Sequence, residues 1–146
     1  MSRVYIAAPL FNEAERNFNE ALASVLRPFV GVYLPQADGI LLHEAVASGD
    51  KPEAAAQRVF QEDIRALRDC SALVIVLNGR TVDEGAAFEL GVSWSLGKQC
   101  VAYKSDPRQL LAVGDNPMIM QAVSRVLHSL SEVEAWARNL VLCKPG

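Results

Sequence analysis

Apolar and polar residues follow one another along the chain in two alternating patterns. Short runs of strand-forming residues recur, and residues 71–79 are almost wholly apolar, which is typical of a strand buried on both faces of a parallel sheet. Between these runs, apolar residues return every three or four positions, as they do along one face of a helix. The first pattern predicts strands at 3–9, 30–35, 71–79, 99–105 and 124–129. The second predicts helices at 12–29, 53–70, 85–97, 116–123 and 131–143.

Several of the predicted helix ends carry residues that helix ends prefer. Pro52 fits the first position of the second helix, where its missing N–H leaves no hydrogen bond unmade. Gly97 is expected to end the third helix as its C-cap. Ser131 and Glu134 have the spacing of a capping box at the start of the last helix. Residues 36–51 carry neither pattern and are expected to be irregular.

The alternation of strands and helices predicts the fold class. It repeats about five times, which indicates βαβ units in a single domain spanning residues 1–146. The expected fold is α/β, an open and doubly wound parallel sheet of about five strands with helices on both faces. Ligands of such sheets bind at the carboxyl ends of the strands. This rule selects the loops 7–12, 35–40, 78–86 and 104–116.

Composition narrows the class of partner. The chain has 146 residues, of which 51% are hydrophobic and 21% charged, an ordinary balance for a globular domain. A net charge of −3 gives no attraction to nucleic acid or to an acidic membrane, and neither is expected as a partner. No apolar stretch approaches the length of a membrane span or of a signal-peptide core. Because Cys70, Cys100 and Cys143 lack the spacing of a metal site or a disulfide framework, we expect reduced thiols in a cytoplasmic protein that binds a small molecule.

Asp63 stands among the apolar positions of the second predicted helix. Burying an unpaired carboxylate costs several kcal/mol, so a compensating feature is expected. One possibility is an ion pair with Arg65 or Arg68 at the edge of the apolar face. The other is a raised pKa and a role with a ligand.

The segment TVDEGAAFELG, residues 81–91, brings further acids to the start of a helix that follows the buried strand. Asp83 and Glu84 fit a plain helix start. Glu89 follows a few residues inside, where the positive end of the helix dipole is expected to keep a carboxylate ionised. This helix start also faces the ligand-binding edge of the sheet. Gly91 costs about 1 kcal/mol relative to alanine inside a helix, which indicates a close backbone approach at the site.

The absence of several well-known motifs narrows the possible chemistry of the site. The sequence contains no GxxxxGK[ST], GxGxxG or GxSxG motif, and His43 and His128 fit a solvated loop and a strand end. A metal held by Asp63, Asp83 and Glu89 is an alternative, because hard cations take carboxylates, but no DxD or ExxH pairing supports it. We therefore expect neither a metal nor a cofactor. Paired carboxylates without a metal suit glycosyl chemistry, in which one attacks the anomeric carbon and another moves a proton.

These residues resemble the motifs of the nucleoside 2-deoxyribosyltransferase family over most of the chain. The resemblance rests on VYIAAPLF at 4–11, QEDIRAL at 61–67, VDEGAAFELG at 82–91 and DNPMI at 115–119. Its most specific part is the Asp-x5-Glu-Leu-Gly arrangement after a strand. The family implies a flavodoxin-like α/β fold, the transfer of a 2-deoxyribosyl group between nucleobases, and no cofactor.

The resemblance also implies a role for individual residues. Glu89 would attack C1′ of the sugar and form a covalent deoxyribosyl-enzyme, while Asp63 would handle the proton of the base. Tyr5 would orient the glutamate through a hydrogen bond. Asp83 would hold the sugar hydroxyls, chiefly the 5′-OH. Asn116 would complete the 5′-OH site, in family members often from a neighbouring subunit, so a homo-oligomer is expected.

The nucleobase has several candidate contacts. This chain departs from several family members, which have an aromatic residue in the loop after the first strand, because it has Leu10 and then Phe11 there. The base would be stacked less tightly, or by Phe11. Gln36 or Asp38 would reach its edge, and Gly85 would border the substrate within the glutamate motif. These residues leave open whether the protein takes purines alone or purines and pyrimidines.

Two rival functions stay open. A hydrolase of deoxynucleoside 5′-monophosphates from the same superfamily would need cations or N–H donors at the phosphate. Asp83 and Glu84 stand where the 5′ end is expected and would repel a phosphate, whereas Arg80 would favour it if its side chain pointed into the site. A nucleotide-binding module without catalysis would need the same pocket but no nucleophile.

Overall fold

The computed structural model describes residues 2–142 as one central parallel sheet covered by helices. The strands are β1 (Arg3–Ala7), β2 (Gly31–Tyr33), β3 (Ala72–Val76), β4 (Gln99–Tyr103) and β5 (Val126–Leu127). The helices are α1 (Glu13–Leu26), α2 (Pro35–Asp38), α3 (Leu42–Ala47), α4 (Pro52–Asp69), α5 (Glu84–Ser95), α6 (Pro117–Met120) and α7 (Leu130–Leu142). Each predicted strand and helix is present, most of them with narrower bounds.

The strand order positions the ligand crevice. The five strands are parallel and run β2-β1-β3-β4-β5 across the sheet. The chain order therefore reverses beside β1, which has β2 on one side and β3 on the other. This is the order of flavodoxin-like sheets, and it confirms the predicted fold class. Such a reversal opens a crevice at the carboxyl ends of β1 and β3.

Alternate residues of the central strands face two separate hydrophobic layers. One face of the sheet packs against α1 and α7 through a core that includes Ile6, Val74, Val101, Leu22 and Trp136. The other face packs against α4 and α5 through a core that includes Ala7, Ile75, Leu67 and Leu90. The two helices that carry the acids of the sequence motifs thus share one face of the sheet.

The prediction that residues 36–51 are irregular is wrong. This segment holds most of α2 and the whole of α3. Both helices are short and contain no buried residue, so they lack the apolar face by which a sequence pattern detects a helix.

The predicted capping box of the last helix lies in the wrong place. The hydroxyl of Ser129 accepts a hydrogen bond from the N–H of Glu132 at 3.2 Å, and the carboxylate of Glu132 accepts one from the N–H of His128 at 2.9 Å. The cap therefore lies two residues before Ser131, and Glu134 takes no part in it. The helix begins earlier than predicted because Ser129 offers the same capping hydroxyl as Ser131.

The predicted start of α4 is confirmed, because Pro52 is its first residue. The C-cap of α5 is Leu96, and Gly97, predicted for that place, follows it with φ of 69°, the left-handed conformation in which glycine often ends a helix. Cys70 and Cys100 are buried free thiols, whereas Cys143 lies outside the described residues. Within residues 2–142, no helix has the length and apolarity that crossing a membrane requires.

Candidate active site

A cavity of about 360 Å³ lies beside the segments that follow β1 and β2 and the start of α5, and it holds the acids that the sequence singled out. Asp63 reaches it from α4, and Asp83 and Glu89 reach it from the start of α5. Phe11 and Gly85 line the same space. We call this space the carboxylate cavity. It brings together five of the eight residues that were predicted to form the site.

Helix periodicity turns the acids toward the sheet. On α5, Ala86 and Ser93 are buried, and Glu89 lies three residues after the first and four before the second. On α4, Asp63 lies three residues before the buried Ala66. Residues at these spacings share one helix face, so both carboxylates sit on the inner face of their helices beside apolar side chains.

Tyr5 of β1 connects the sheet to Glu89. Its hydroxyl donates a hydrogen bond of 2.7 Å to Oε1 of Glu89. The Tyr5 side chain is fully buried, and its ring stacks on that of Tyr33 with 5.2 Å between the centroids. Burial, followed by the charges of Glu89 and Asp63, raises the pKa of Tyr5 far above its usual value. Tyr5 therefore stays a hydrogen-bond donor, in agreement with the predicted orienting role.

Glu89 does not have the charge that the sequence suggested. Burial raises its pKa to about 8; the hydrogen bond from Tyr5 opposes this shift, and the charges of Asp63 and Asp83 add to it. The expectation that the helix dipole keeps Glu89 ionised at neutral pH is therefore wrong for the protein without substrate. Glu89 is the sixth residue of α5, beyond the first turn in which the dipole acts strongly, so desolvation prevails.

Asp63 has the raised pKa that one interpretation of the sequence predicted. Burial raises it to about 6, the neighbouring Glu62 adds to the shift, and the hydroxyls of Tyr33 and Tyr5 oppose it. The competing interpretation, an ion pair with a nearby arginine, is wrong. Arg65 pairs with Glu62 at 2.6 Å, and Asp63 forms no ion pair within residues 2–142.

Asp83 and Gly85 form the start of α5 together. Asp83 is the N-cap, and its carboxylate accepts a hydrogen bond from the N–H of Ala86 at 2.9 Å. A Cβ atom on Gly85 would lie only 3.2 Å from the same carboxylate, so glycine leaves the room that this cap needs. At Gly91 a Cβ would meet nothing within 4 Å. The expectation that Gly91 permits a close backbone approach at the site is therefore wrong.

Asn116 and Arg80 line a different and smaller cavity of about 90 Å³. Asn116 is the N-cap of α6, and its side-chain oxygen accepts a hydrogen bond from the N–H of Met118 at 2.9 Å. Within one chain, the structure does not bring Asn116 to Glu89. Arg80 does not line the carboxylate cavity, so it does not supply the cation that would favour a phosphate there.

Gln36 and Asp38 do not line the carboxylate cavity either. The amide oxygen of Gln36 accepts a hydrogen bond from Asn19 at 3.0 Å, and its nitrogen donates to the carbonyl of Arg16 at 3.0 Å. The carboxylate of Asp38 accepts a hydrogen bond from the N–H of Leu34 at 2.8 Å. Both side chains thus fix the protein backbone, in place of the predicted contact with the base.

Two further polar residues of the cavity were missed by the sequence analysis. His43 belongs to α3 and lines the carboxylate cavity, although it was expected to be merely solvated. Arg16 also lines it, and its Nη1 donates to the carbonyl of Leu10 at 3.1 Å. A signal for Arg16 was present, because Asn12 caps α1 directly after a loop at the ligand-binding edge. The first turns of α1 must therefore border the site.

The acids are not arranged as a metal centre. No three or more His, Cys, Asp or Glu side chains among residues 2–142 are placed to hold a metal ion together. The alternative of a metal bound by Asp63, Asp83 and Glu89 therefore gains no support from the geometry.

Solved structures of other proteins share this fold. A conserved protein from Enterococcus faecalis V583 aligns with a TM-score of 0.78 and 24% identity, over 96% of this chain and 99% of that one. A 2-deoxyribosyltransferase from Bacillus psychrosaccharolyticus aligns with a TM-score of 0.76 and 23% identity, over 91% and 90%. A CMP N-glycosidase from Clostridium botulinum aligns with a TM-score of 0.55 and 16% identity, over 95% and 98%. At these identities the likeness shows the fold alone.

The sequence also matches a protein family. No curated protein matches the chain significantly. The model of the family described as nucleoside 2-deoxyribosyltransferase matches residues 4–134. This range includes Tyr5 and the three acids of the carboxylate cavity, and it spans most of the chain. The chain therefore belongs to the nucleoside 2-deoxyribosyltransferase family.

Proposed function

We propose that the protein transfers a 2-deoxyribosyl group between nucleobases through a covalent bond from Glu89 to C1′ of the sugar. The observation that carries the proposal is the hydrogen bond from Tyr5 to Glu89 in a cavity that also holds Asp63. A carboxylate nucleophile beside a carboxylic acid of raised pKa is the pair that covalent glycosyl transfer requires.

The reaction consists of two displacements at C1′. In the first, the ionised carboxylate of Glu89 attacks C1′ and the C1′–N bond breaks. The electron pair of that bond goes to the leaving base, which takes a proton from Asp63. In the second, a nitrogen of the incoming base attacks C1′, the bond to Glu89 breaks, and the Asp63 carboxylate receives the proton that the incoming base gives up. Two inversions give net retention at C1′.

The cavity offers separate places for the sugar and the base. Asp83 lies at the start of α5 with its carboxylate at the cavity wall, where it can accept hydrogen bonds from sugar hydroxyls. Phe11 is 76% exposed and offers a free ring face for a base to stack on. A 2′ oxygen would withdraw electrons from an oxocarbenium-like transition state, so deoxyribosides should react more readily than ribosides.

The main rival is hydrolysis of a 5′-monophosphate, in which water replaces the second base. Glu84 is exposed and lies outside the cavity, so Asp83 alone opposes a phosphate there. Arg80 lines another cavity, and the arginine of this cavity, Arg16, comes from α1 and not from the start of α5, where the 5′ end is expected. These positions favour an unphosphorylated nucleoside as the donor. Transfer between bases would serve nucleoside salvage in the cytoplasm, for which the buried free thiols of Cys70 and Cys100 are suited.

The test is a base-exchange assay. The protein is incubated with 2′-deoxyinosine and free adenine, and both nucleosides are followed by chromatography. We expect 2′-deoxyadenosine to appear, and to be lost in Glu89→Ala. Release of hypoxanthine without a new nucleoside, above all from 2′-deoxyinosine 5′-monophosphate, would assign the protein to the hydrolases. Binding of nucleoside without turnover in either assay would leave the binding module as the better description.

A further inference from the structure

The carboxylate cavity has two walls of different chemistry. The wall from α4 and α5 carries the three acids. The other wall comes from the loop after β1, the start of α1 and residues 35–43, and it is mostly apolar. Among its side chains, only Arg16 and His43 carry strong hydrogen-bonding groups. A ligand that fills the cavity must therefore present sugar-like hydroxyls to one wall and a flatter, less polar group to the other.

The proposed function fixes the direction in which a nucleoside lies. Because C1′ must reach Glu89, the deoxyribose lies on the acidic wall and the base lies on the wall of Leu10 and Phe11. This step rests on the proposed function. The edge of the base then faces the polar groups of that wall. Gln36 cannot serve there, since both ends of its amide are already hydrogen-bonded to α1.

Arg16 is exposed to solvent, and hydrogen bonds of its backbone and of its side chain fix its position. Its backbone carbonyl accepts a hydrogen bond from Gln36, and the buried Asn19 fixes the same glutamine. The Nη1 of Arg16 donates to the carbonyl of Leu10, which ties the guanidinium to the loop after β1. The guanidinium makes no further hydrogen bond or ion pair within residues 2–142. Its remaining N–H groups are available to a ligand.

We propose that Arg16 selects the nucleobase and favours purines that carry an oxygen at C6. A guanidinium only donates hydrogen bonds. The O6 and N7 atoms of hypoxanthine or guanine both accept, so they match two N–H groups of one arginine. Adenine presents an amino group in place of O6, and a donor would then face a donor. A site built to donate to an oxygen discriminates against the analogue that lacks it.

The test measures binding without turnover. In a Glu89→Gln background, which keeps an acceptor for Tyr5 but removes the nucleophile, the Kd values of 2′-deoxyinosine and 2′-deoxyadenosine are measured by calorimetry. We expect 2′-deoxyinosine to bind about tenfold more tightly. Adding Arg16→Met should weaken 2′-deoxyinosine about tenfold and leave 2′-deoxyadenosine nearly unchanged. Arg27→Met is the matched control, since Arg27 lies next to the end of the same helix and pairs with Glu20 at the surface.

The outcomes separate this inference from the proposed function. Equal binding of the two nucleosides, no binding of either, or a preference that survives Arg16→Met would each overturn the role of Arg16, whatever the exchange assay shows. If Arg16→Met instead weakened only 2′-deoxyinosine 5′-monophosphate, Arg16 would be a phosphate contact and the inference would fail. If the wild-type protein exchanged no bases but the preference for 2′-deoxyinosine still depended on Arg16, the proposed transferase activity would be wrong. The role of Arg16 in selecting the base would then stand.

Discussion

Glu89 and Asp63 both have raised pKa values, so near neutral pH the two acids together hold about one proton, and the proposed reaction depends on which of them carries it. The pKa is raised to about 8 for Glu89 and to about 6 for Asp63. Between these values the pair holds one proton, which resides mostly on Glu89. The proposed reaction needs the opposite arrangement, with Glu89 ionised and Asp63 protonated. The reactive form is then the minority form of the pair.

This single proton predicts the pH dependence of kcat/KM. Below pH 6 both acids are protonated, and each added pH unit increases the ionised fraction of Glu89 about tenfold. Above pH 8 both acids are ionised, and each added pH unit lowers the protonated fraction of Asp63 about tenfold. We therefore expect kcat/KM to rise up to about pH 6, to stay level, and to fall above about pH 8.

The Tyr5→Phe variant tests which of the two limits of the pH profile reflects the ionisation of Glu89. The hydrogen bond from Tyr5 lowers the pKa of Glu89, and the Tyr5 hydroxyl also lowers the pKa of Asp63 as the smallest of the causes there, so its removal should raise both pKa values. The upper limit of the profile should move to higher pH further than the lower limit does, and the level part should drop about tenfold for each unit by which the Glu89 shift exceeds the Asp63 shift. Tyr103→Phe, on the opposite face of the sheet, should leave both limits in place. An upper limit that does not move in Tyr5→Phe would contradict the role of this hydrogen bond.

The raised pKa of Glu89 also predicts a stability effect. In the unfolded chain the glutamate has its ordinary pKa of 4.5, and the folded value is about 8, so the protein loses stability as pH rises between these values. Glu89→Gln removes this loss and keeps an acceptor for Tyr5. We expect the variant to melt several degrees above the wild type at pH 8.5, and the difference to shrink at pH 5. Glu84→Gln, on the exposed side of the same helix, is the control; a pH-independent difference for Glu89→Gln would contradict the assignment.

At the level of elements, the start of α5 places two parts of the site at once. Gly85→Ala would put a Cβ 3.2 Å from the carboxylate of Asp83 and displace it from its cap. We expect a higher KM for the nucleoside and a stability loss of about 1 kcal/mol, reduced by the better helix propensity of alanine. Gly91→Ala, in the same helix with open space around its Cβ, should stabilise by up to about 1 kcal/mol and leave KM unchanged. Thermal melts and initial rates distinguish the two, and equal behaviour would contradict this account of Gly85.

The sequence predicted α5 better than it predicted α2 and α3, and the reason is burial. In α5, buried residues recur at helical spacing, which also indicates that Glu89 faces inward. Residues 36–51 bury too little apolar surface to show a period, so His43 was left out of the site. Hydrogen bonds between particular side chains could not be predicted from the sequence pattern either. Nothing in the spacing of Gln36 reveals that its amide is hydrogen-bonded to α1.

At the level of the whole molecule, the alternation of strands and helices was sufficient to predict the parallel sheet and the edge that carries the site. The charge of the buried acids was not predictable, because it depends on how far each carboxylate is removed from water in the folded protein. The dipole argument for Glu89 used its place in the sequence alone. Desolvation, which raises its pKa to about 8, comes from packing that only the folded chain has.

The surface beside the site supports the proposed homo-oligomer. Phe60 and Phe88 are each 55% exposed, and their rings lie 6.1 Å apart between centroids. Trp94 and Met118 form a second exposed apolar group, since both line one further cavity. Large exposed apolar side chains that lie together are typical of a contact with another chain. Met118 lies two residues after Asn116, so a contact through the second group would bring Asn116 to a neighbouring chain.

A mixing experiment tests whether Asn116 acts across subunits. The Glu89→Ala and Asn116→Ala variants are each expected to be poor enzymes. In an oligomer that contains both variants, the two defects lie on different chains. In a co-expressed equal mixture, a site is intact when its own chain keeps Glu89 and its neighbour keeps Asn116. Random assembly then restores about a quarter of the wild-type activity, whatever the size of the closed oligomer. Activity no higher than the mean of the two variants, or a fully active monomer in sedimentation, would place Asn116 outside the neighbouring site.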